Sequence, residues 1–270
     1  MASLNTFYQA IGYSKQGLHQ HLNSQLAQHS MFENLYKIAT QIRKDHPTLN
    51  CKAMYYKIMP EGLGRDKFER LCSEWGLTQE RPINRIRTTF STGVIRFGNY
   101  YKDVVFTKTN QAFVSDITYY EVDGKFYYIT FIMDAFSRYI VGYNASNRLL
   151  TEHTTIPAME MALKYKNYQV EPGIIFHSDG GGQYFDKAFL ALTKQYKLKN
   201  SMCEYAYENG KAERINGIIK NNYLKYATIK TFGELQKELD RSVSLYNNER
   251  PHKNLKYKTP KEIEKKIYLQ

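Results

Sequence analysis

At 270 residues the chain is long enough to bury one substantial core with a smaller helical domain beside it. Lysine and arginine outnumber aspartate and glutamate 38 to 26, and the formal charge of +12 favours a polyanionic partner through phosphate neutralisation and counterion release. Three cysteines, Cys51, Cys72 and Cys203, stand at no metal-ligand spacing, which argues against a disulfide framework or a zinc site and fits a reducing cytoplasm. No apolar run reaches the ~20 residues a bilayer span needs and no basic-then-apolar leader opens the chain, so a soluble, unsecreted protein without a membrane partner is expected.

Residues 4–22 read as two short helices broken at Gly12, with Ser14 capping the second. Ser30-Met-Phe-Glu33 reads as a capping box that opens another helix, with Leu35, Ile38, Ala39 and Ile42 on one stripe and Pro47 as its stop. Asn50 caps a helix over 51–59, and a further helix over 65–75 turns Phe68, Leu71, Cys72 and Trp75 inward before Gly76. Short helices with tight turns suggest a small helix-turn-helix-type region over residues 1–80. A basic linker follows over 81–103, in which Arg81, Arg85 and Arg87 are placed to track a phosphate backbone.

From residue 104 the periodicity changes from helical to strand-like. Strands are expected over 111–122, 125–133 and 138–145, the first two joined by an Asp123-Gly124 hairpin turn. Then come a helix over 154–165, a buried strand over 174–177, a helix over 187–196, a short strand over 198–202 and helices near 209–226 and 232–247. A meander followed by alternating helix and strand is an α/β, RNase H-like order that sets the first and fourth strands side by side. The core is expected over 104–250, with a tail over 251–270. The 24 tyrosines are too dispersed along the chain to mark a stacking platform.

Three acids stand out in that order. Asp116 interrupts a strand rich in β-branched and aromatic residues, where a bare carboxylate needs a partner. Asp179 ends an apolar run ahead of Gly180-Gly181-Gly182, and Glu213 lies on a helix where Asn209, Glu213, Asn216 and Lys220 recur at i, i+4, i+7 and i+11. A strand, a strand end and a helix face can bring three carboxylates to one two-metal phosphoryl-transfer centre. The polar helix face is expected to meet metal and DNA. Glu208 is an alternative third acid, less well placed than Glu213.

Ser115-Asp-Ile-Thr118, Asp134-Ala-Phe-Ser-Arg138, His177-Ser-Asp179 with Gln183-Tyr184, Asn209 to Glu213 with Lys220, and Tyr246-Asn247 through Arg250-Pro-His252 to Thr259-Pro260 resemble the DDE integrase core. More narrowly, from about residue 31 onward, they resemble the orfB-type transposases of the IS-three family of bacterial insertion sequences. The resemblance implies a retroviral integrase-type core with Asp116, Asp179 and Glu213 as the catalytic and metal-binding triad, two Mg²⁺ or Mn²⁺ ions per site, and Lys220 on DNA near the reactive end. It further implies action on insertion-sequence terminal repeats and target DNA by a copy-out, paste-in route, as a homo-oligomer on DNA at the bacterial nucleoid. A companion helix-turn-helix and zipper reading-frame product is implied too. Two readings compete: a metal-dependent nuclease of the same fold that never joins strands, and a transposase-derived DNA-binding regulator that has lost its chemistry.

Overall fold

The computed structural model describes residues 8, 10, 12, 14–79, 96–167 and 169–265. Residues 1–45 with 50–79 form one compact unit, and residues 46–49 with 80–270 form another.

The first unit holds three helices, α1 (Lys15–Asp45), α2 (Cys51–Ile58) and α3 (Arg65–Glu74). Ser14 caps α1 as expected, its hydroxyl accepting from the Gly17 amide at 2.9 Å. The helix then runs unbroken through Ser30, where a new start was expected. Residues 23–30 contain neither glycine nor proline, so nothing interrupts the i to i−4 ladder and the capping-box residues simply sit mid-helix. The first of the two short helices expected over 4–22 falls largely outside the described residues. Leu35, Ala39 and Ile42 are buried as one stripe while Ile38 stays exposed. Asn50 caps α2 by accepting from the Ala53 amide, and Arg43 ties α1 to the end of the unit by donating to the Leu77 carbonyl at 2.6 Å.

The second unit is built on a five-stranded sheet, β1 (Ala112–Val122), β2 (Lys125–Asp134), β3 (Ile140–Ser146), β4 (Ile175–Ser178) and β5 (Lys199–Met202), in spatial order β3-β2-β1-β4-β5. The meander pairs antiparallel, and β4 lies parallel to both β1 and β5. Asp123 and Gly124 both take positive φ in the β1–β2 turn, as a two-residue hairpin of matching twist requires. Helices α4 (Thr155–Tyr165) and α5 (Lys187–Gln195) cover one face, around Phe113, Ile132, Phe176 and Phe189. Helices α6 (Gly210–Asn222) and α7 (Phe232–Asn248) cover the other, around Val114, Phe131, Ile215 and Leu239. Gly142 in β3 sets the approach of α4: a Cβ there would stand 2.1 Å from the Ala158 carbonyl oxygen.

The stretch read as a tail is folded onto this core through residue 265. Thr259 and Glu262 form a reciprocal cap that starts α8 (Pro260–Lys265), and Glu264 of that helix pairs with Lys166 at 2.5 Å, both side chains buried.

Candidate active site

The first and fourth strands do lie side by side, and this places two of the three acids. β1 pairs with β4 only from Ala112 to Val114, opposite Ile175 to His177. Just past that point the strands part, leaving Asp116 on β1 and Asp179 immediately after the end of β4. Two parallel strands thus deliver their carboxylates to the same edge of the sheet.

Asp116 is half-buried, and its carboxyl is pushed up to about 8 from the ordinary carboxylate value. Burial is the main cause, followed by the like charge of Asp179, with Glu213 adding a smaller push. Two hydrogen bonds oppose the shift: the Ile117 amide donates to Oδ1 at 3.0 Å and the Asn216 amide nitrogen to Oδ2 at 2.7 Å. Asp179 is raised as well, chiefly by burial, against the Gly181 amide that donates to it at 3.1 Å. Here the glycine matters sterically, because a Cβ on Gly181 would approach Asp179 Oδ1 to 3.1 Å. Glu213 is exposed on the first turn of α6 and close enough to Asp116 to disfavour its charge. Among the described residues no three His, Cys, Asp or Glu side chains are gathered tightly enough to hold one ion, so the acids share a neighbourhood and not yet a coordination sphere.

The helix face that carries Glu213 works differently from expectation at two positions. Asn209 and Asn216, read as DNA contacts, are buried and face β1. Asn209 donates to the Ser115 carbonyl at 3.0 Å, Asn216 to Asp116, and Lys220 Nζ to the Thr118 hydroxyl at 3.1 Å. These three bonds run along the part of β1 that β4 leaves open. The Oδ1 atoms of Asn209 and Asn216 are buried with no hydrogen-bond partner, so each keeps an acceptor in reserve at the site. Arg81, Arg85 and Arg87 lie outside the described residues.

Glu208 has another job. Its carboxylate accepts from the Glu204 and Tyr205 amides and from Asn99, and pairs with Lys102 at 3.4 Å. It caps the turn that leads into α6, with its carboxylate engaged by the Glu204 and Tyr205 amides. The segment around it was missed in the sequence, where residues up to 103 read as linker. Residues 99–102 instead strap across the core: the Tyr100 amide donates to Ser201 Oγ, and the Tyr101 ring stacks on His177 at 4.5 Å and 15°. His177 is buried, bonded to Ser201, and lowered by desolvation to about 4. The run Asn99-Tyr100-Tyr101 was the available signal, since adjacent aromatics suit a packed strap better than a solvated linker.

Other motif residues prove structural. Asp134 is buried and accepts from the Asn110, Phe136 and Ser137 amides, fixing the turn after β2. Asn247 both accepts from and donates to the Ile140 backbone, pinning α7 to β3. A cavity of about 580 Å³ lined by Phe106, Arg138, Lys211, Lys256 and Lys258 contains none of the three acids.

The integrase core domain family matches residues 107–207, and a second integrase core domain family matches residues 194–260. The chain is 29% identical over 230 residues to the transposase of insertion sequence element IS629 from Shigella sonnei, covering 83% of this chain and 76% of that protein. It is 33% identical over 93 residues to transposase InsF of IS3A from Escherichia coli K12, covering 34% of this chain and 31% of that one. The chain belongs to the IS3-type DDE transposases. A structural likeness to a chain of the simian T-cell lymphotropic virus intasome, at a TM-score of 0.50 and 17% identity over 79% of this chain and 71% of that one, reflects the shared fold of the transposase core. No described helix of the transposase is long and apolar enough to cross a membrane.

Proposed function

We propose that this transposase uses Asp116, Asp179 and Glu213 as one catalytic centre that frees a 3′-hydroxyl at an insertion-sequence end and joins it to a second phosphodiester. The observation that carries the reading is the pairing of Asp116 and Asp179 at the parting of β1 and β4, with Asp116 pushed up to about 8 by burial and by Asp179. Two crowded carboxylates and an exposed third, all oxygen donors, suit Mg²⁺ or Mn²⁺, and two ions would be held between them. When bound, such ions activate the attacking oxygen and stabilise the leaving one. The chain's own residues do the rest. Asn216 holds one oxygen of Asp116 by donating to it, and the Ile117 amide holds the other, so the carboxylate is oriented by two donors. Gly181 leaves room beside Asp179, and Lys220, tied to Thr118, offers a cation to a phosphate next to Asp116. Neither a serine nor a tyrosine nucleophile is needed.

The wider reading has residues 1–80 recognise the terminal repeats and the core from 104 onward carry the chemistry, in a homo-oligomer assembled on DNA and possessing a companion reading-frame product. The test is a strand-transfer assay on labelled terminal-repeat duplexes with Mg²⁺ or Mn²⁺. Joined products from the native chain, and their loss in Asp116→Asn, Asp179→Asn and Glu213→Gln, are expected. Cleavage without joining would leave a nuclease of the same fold, and activity above about a tenth in any variant, a loss under ~1.4 kcal/mol, would remove that residue from the centre.

A further inference from the structure

One exposed tyrosine stands against Lys220, on the face of β1 opposite to Asp116. Tyr119 stands three residues beyond Asp116 on the half of β1 that β4 does not cover, and it is 62% exposed. It sits opposite Tyr128, while Phe126, 54% exposed, sits opposite Glu121, so Tyr119 and Phe126 are diagonal neighbours on one face of the hairpin. Their rings meet edge to face at 5.7 Å and 85°, which fixes the orientation of Tyr119. Lys220 Nζ lies 5.0 Å from the centre of the same ring.

Neither aromatic belongs to either hydrophobic cluster of the core, and both rings stay largely in water. We propose that Tyr119, braced by Phe126, is a stacking platform for an unpaired nucleobase at the DNA strand end, with the neighbouring phosphate held by Lys220. The inference rests on the reading of Asp116 and its neighbours as the strand-cutting centre. Charge favours a base over other occupants. Lys220 on one side attracts phosphate, whereas exposed Glu121 on the hairpin face repels it, so the ring between them is left for the uncharged part of a nucleotide. Such stacking tolerates any base, and at about 1–3 kcal/mol per base it offsets much of the cost of fraying a duplex end into a half-buried site.

The probe is a duplex with a frayed 3′-dinucleotide carrying 2-aminopurine, bound to the full chain in Ca²⁺, with a fully paired blunt duplex as its control. Stacking predicts quenching of the 2-aminopurine and a loss of about tenfold in affinity for the frayed probe in Tyr119→Ala, with less than twofold change on the blunt duplex. Tyr119→Phe and Tyr119→Trp, which keep a ring, retain both quenching and affinity. Equal quenching in Tyr119→Ala, or equal weakening on frayed and blunt DNA, overturns the proposal. A change in the protein's mass by light scattering in Tyr119→Ala without a change in frayed-end affinity does so too, since the face would then join two copies of the chain. Asp116→Asn separates the two readings: it should quench like the native chain yet fail to cut. Cutting by that variant would sink the catalytic assignment, and failed quenching by the native chain alone sinks the platform.

Discussion

The two halves of β1 lead different lives. From Ala112 to Ser115 the strand is fully buried, paired with β2 on one side and, through Val114, with β4 on the other. From Asp116 to Tyr120 it keeps its pairing with β2, loses β4, and is partly or wholly exposed. The first half has a strand on each side, whereas the second has β2 on one side and bonds from Asn216 and Lys220 of α6 to Asp116 and Thr118. A sheet interior cannot host a carboxylate that must meet ions and DNA, whereas a strand that has just lost a neighbour can, without losing its register. The candidate centre lies where regular pairing ends.

The contrast should break most visibly in the buried half. Phe113→Ala removes a ring packed among Ile132, Phe176 and Phe189, and should cost about 3–5 kcal/mol by chemical denaturation. Its activity, measured well below the new midpoint of unfolding, should fall little. In the open half the balance reverses. Asp116→Asn should abolish strand transfer yet stabilise the metal-free protein at pH 8, by about 1–3 kcal/mol. The sign follows from the raised carboxyl. An unfolded Asp ionises near 3.8 and the folded one near about 8, so stability is full below the first value and lost as pH rises through the second. Thermal melts of both proteins from pH 4 to 8 should therefore diverge upward, and parallel curves would show that Asp116 is not strained by its own charge.

Asn216→Ala tests the tie between α6 and the open half of β1. Losing the donor to Asp116 should cost roughly 1–3 kcal/mol and raise the Asp116 titration further, visible as a higher Mn²⁺ requirement for cleavage. The smallest effect belongs to Lys220→Ala, which should lower the slope of log affinity against log salt by about 0.9 for terminal DNA. An unchanged slope would make Lys220 a structural partner of Thr118 alone.

The sequence carried the strands and most helices to within a residue or two, because each has its own periodicity and its own stops, such as Asp123-Gly124 and Pro47. The acids were legible for a related reason: an aspartate in the middle of an apolar strand contradicts its surroundings. What lay hidden depended on partners far along the chain. Asn209 and Asn216 read as polar face and turned out to be inward-facing donors, since only the folded sheet shows that β1 lacks a neighbour there. Ser30-Met-Phe-Glu33 misled for the opposite reason, a local start signal overridden by a helix already under way.

Glu208 joins segments 109 residues apart, for the carboxylate that caps the turn into α6 also holds Asn99. Contacts between such distant stretches form late, after the local hairpin and helices exist. The turn into α6 is thus closed locally by the Glu204 and Tyr205 amides and tied across the chain by Asn99. A change that loosens the strap at residues 99–102 therefore reaches, through a single carboxylate, the turn just ahead of Glu213.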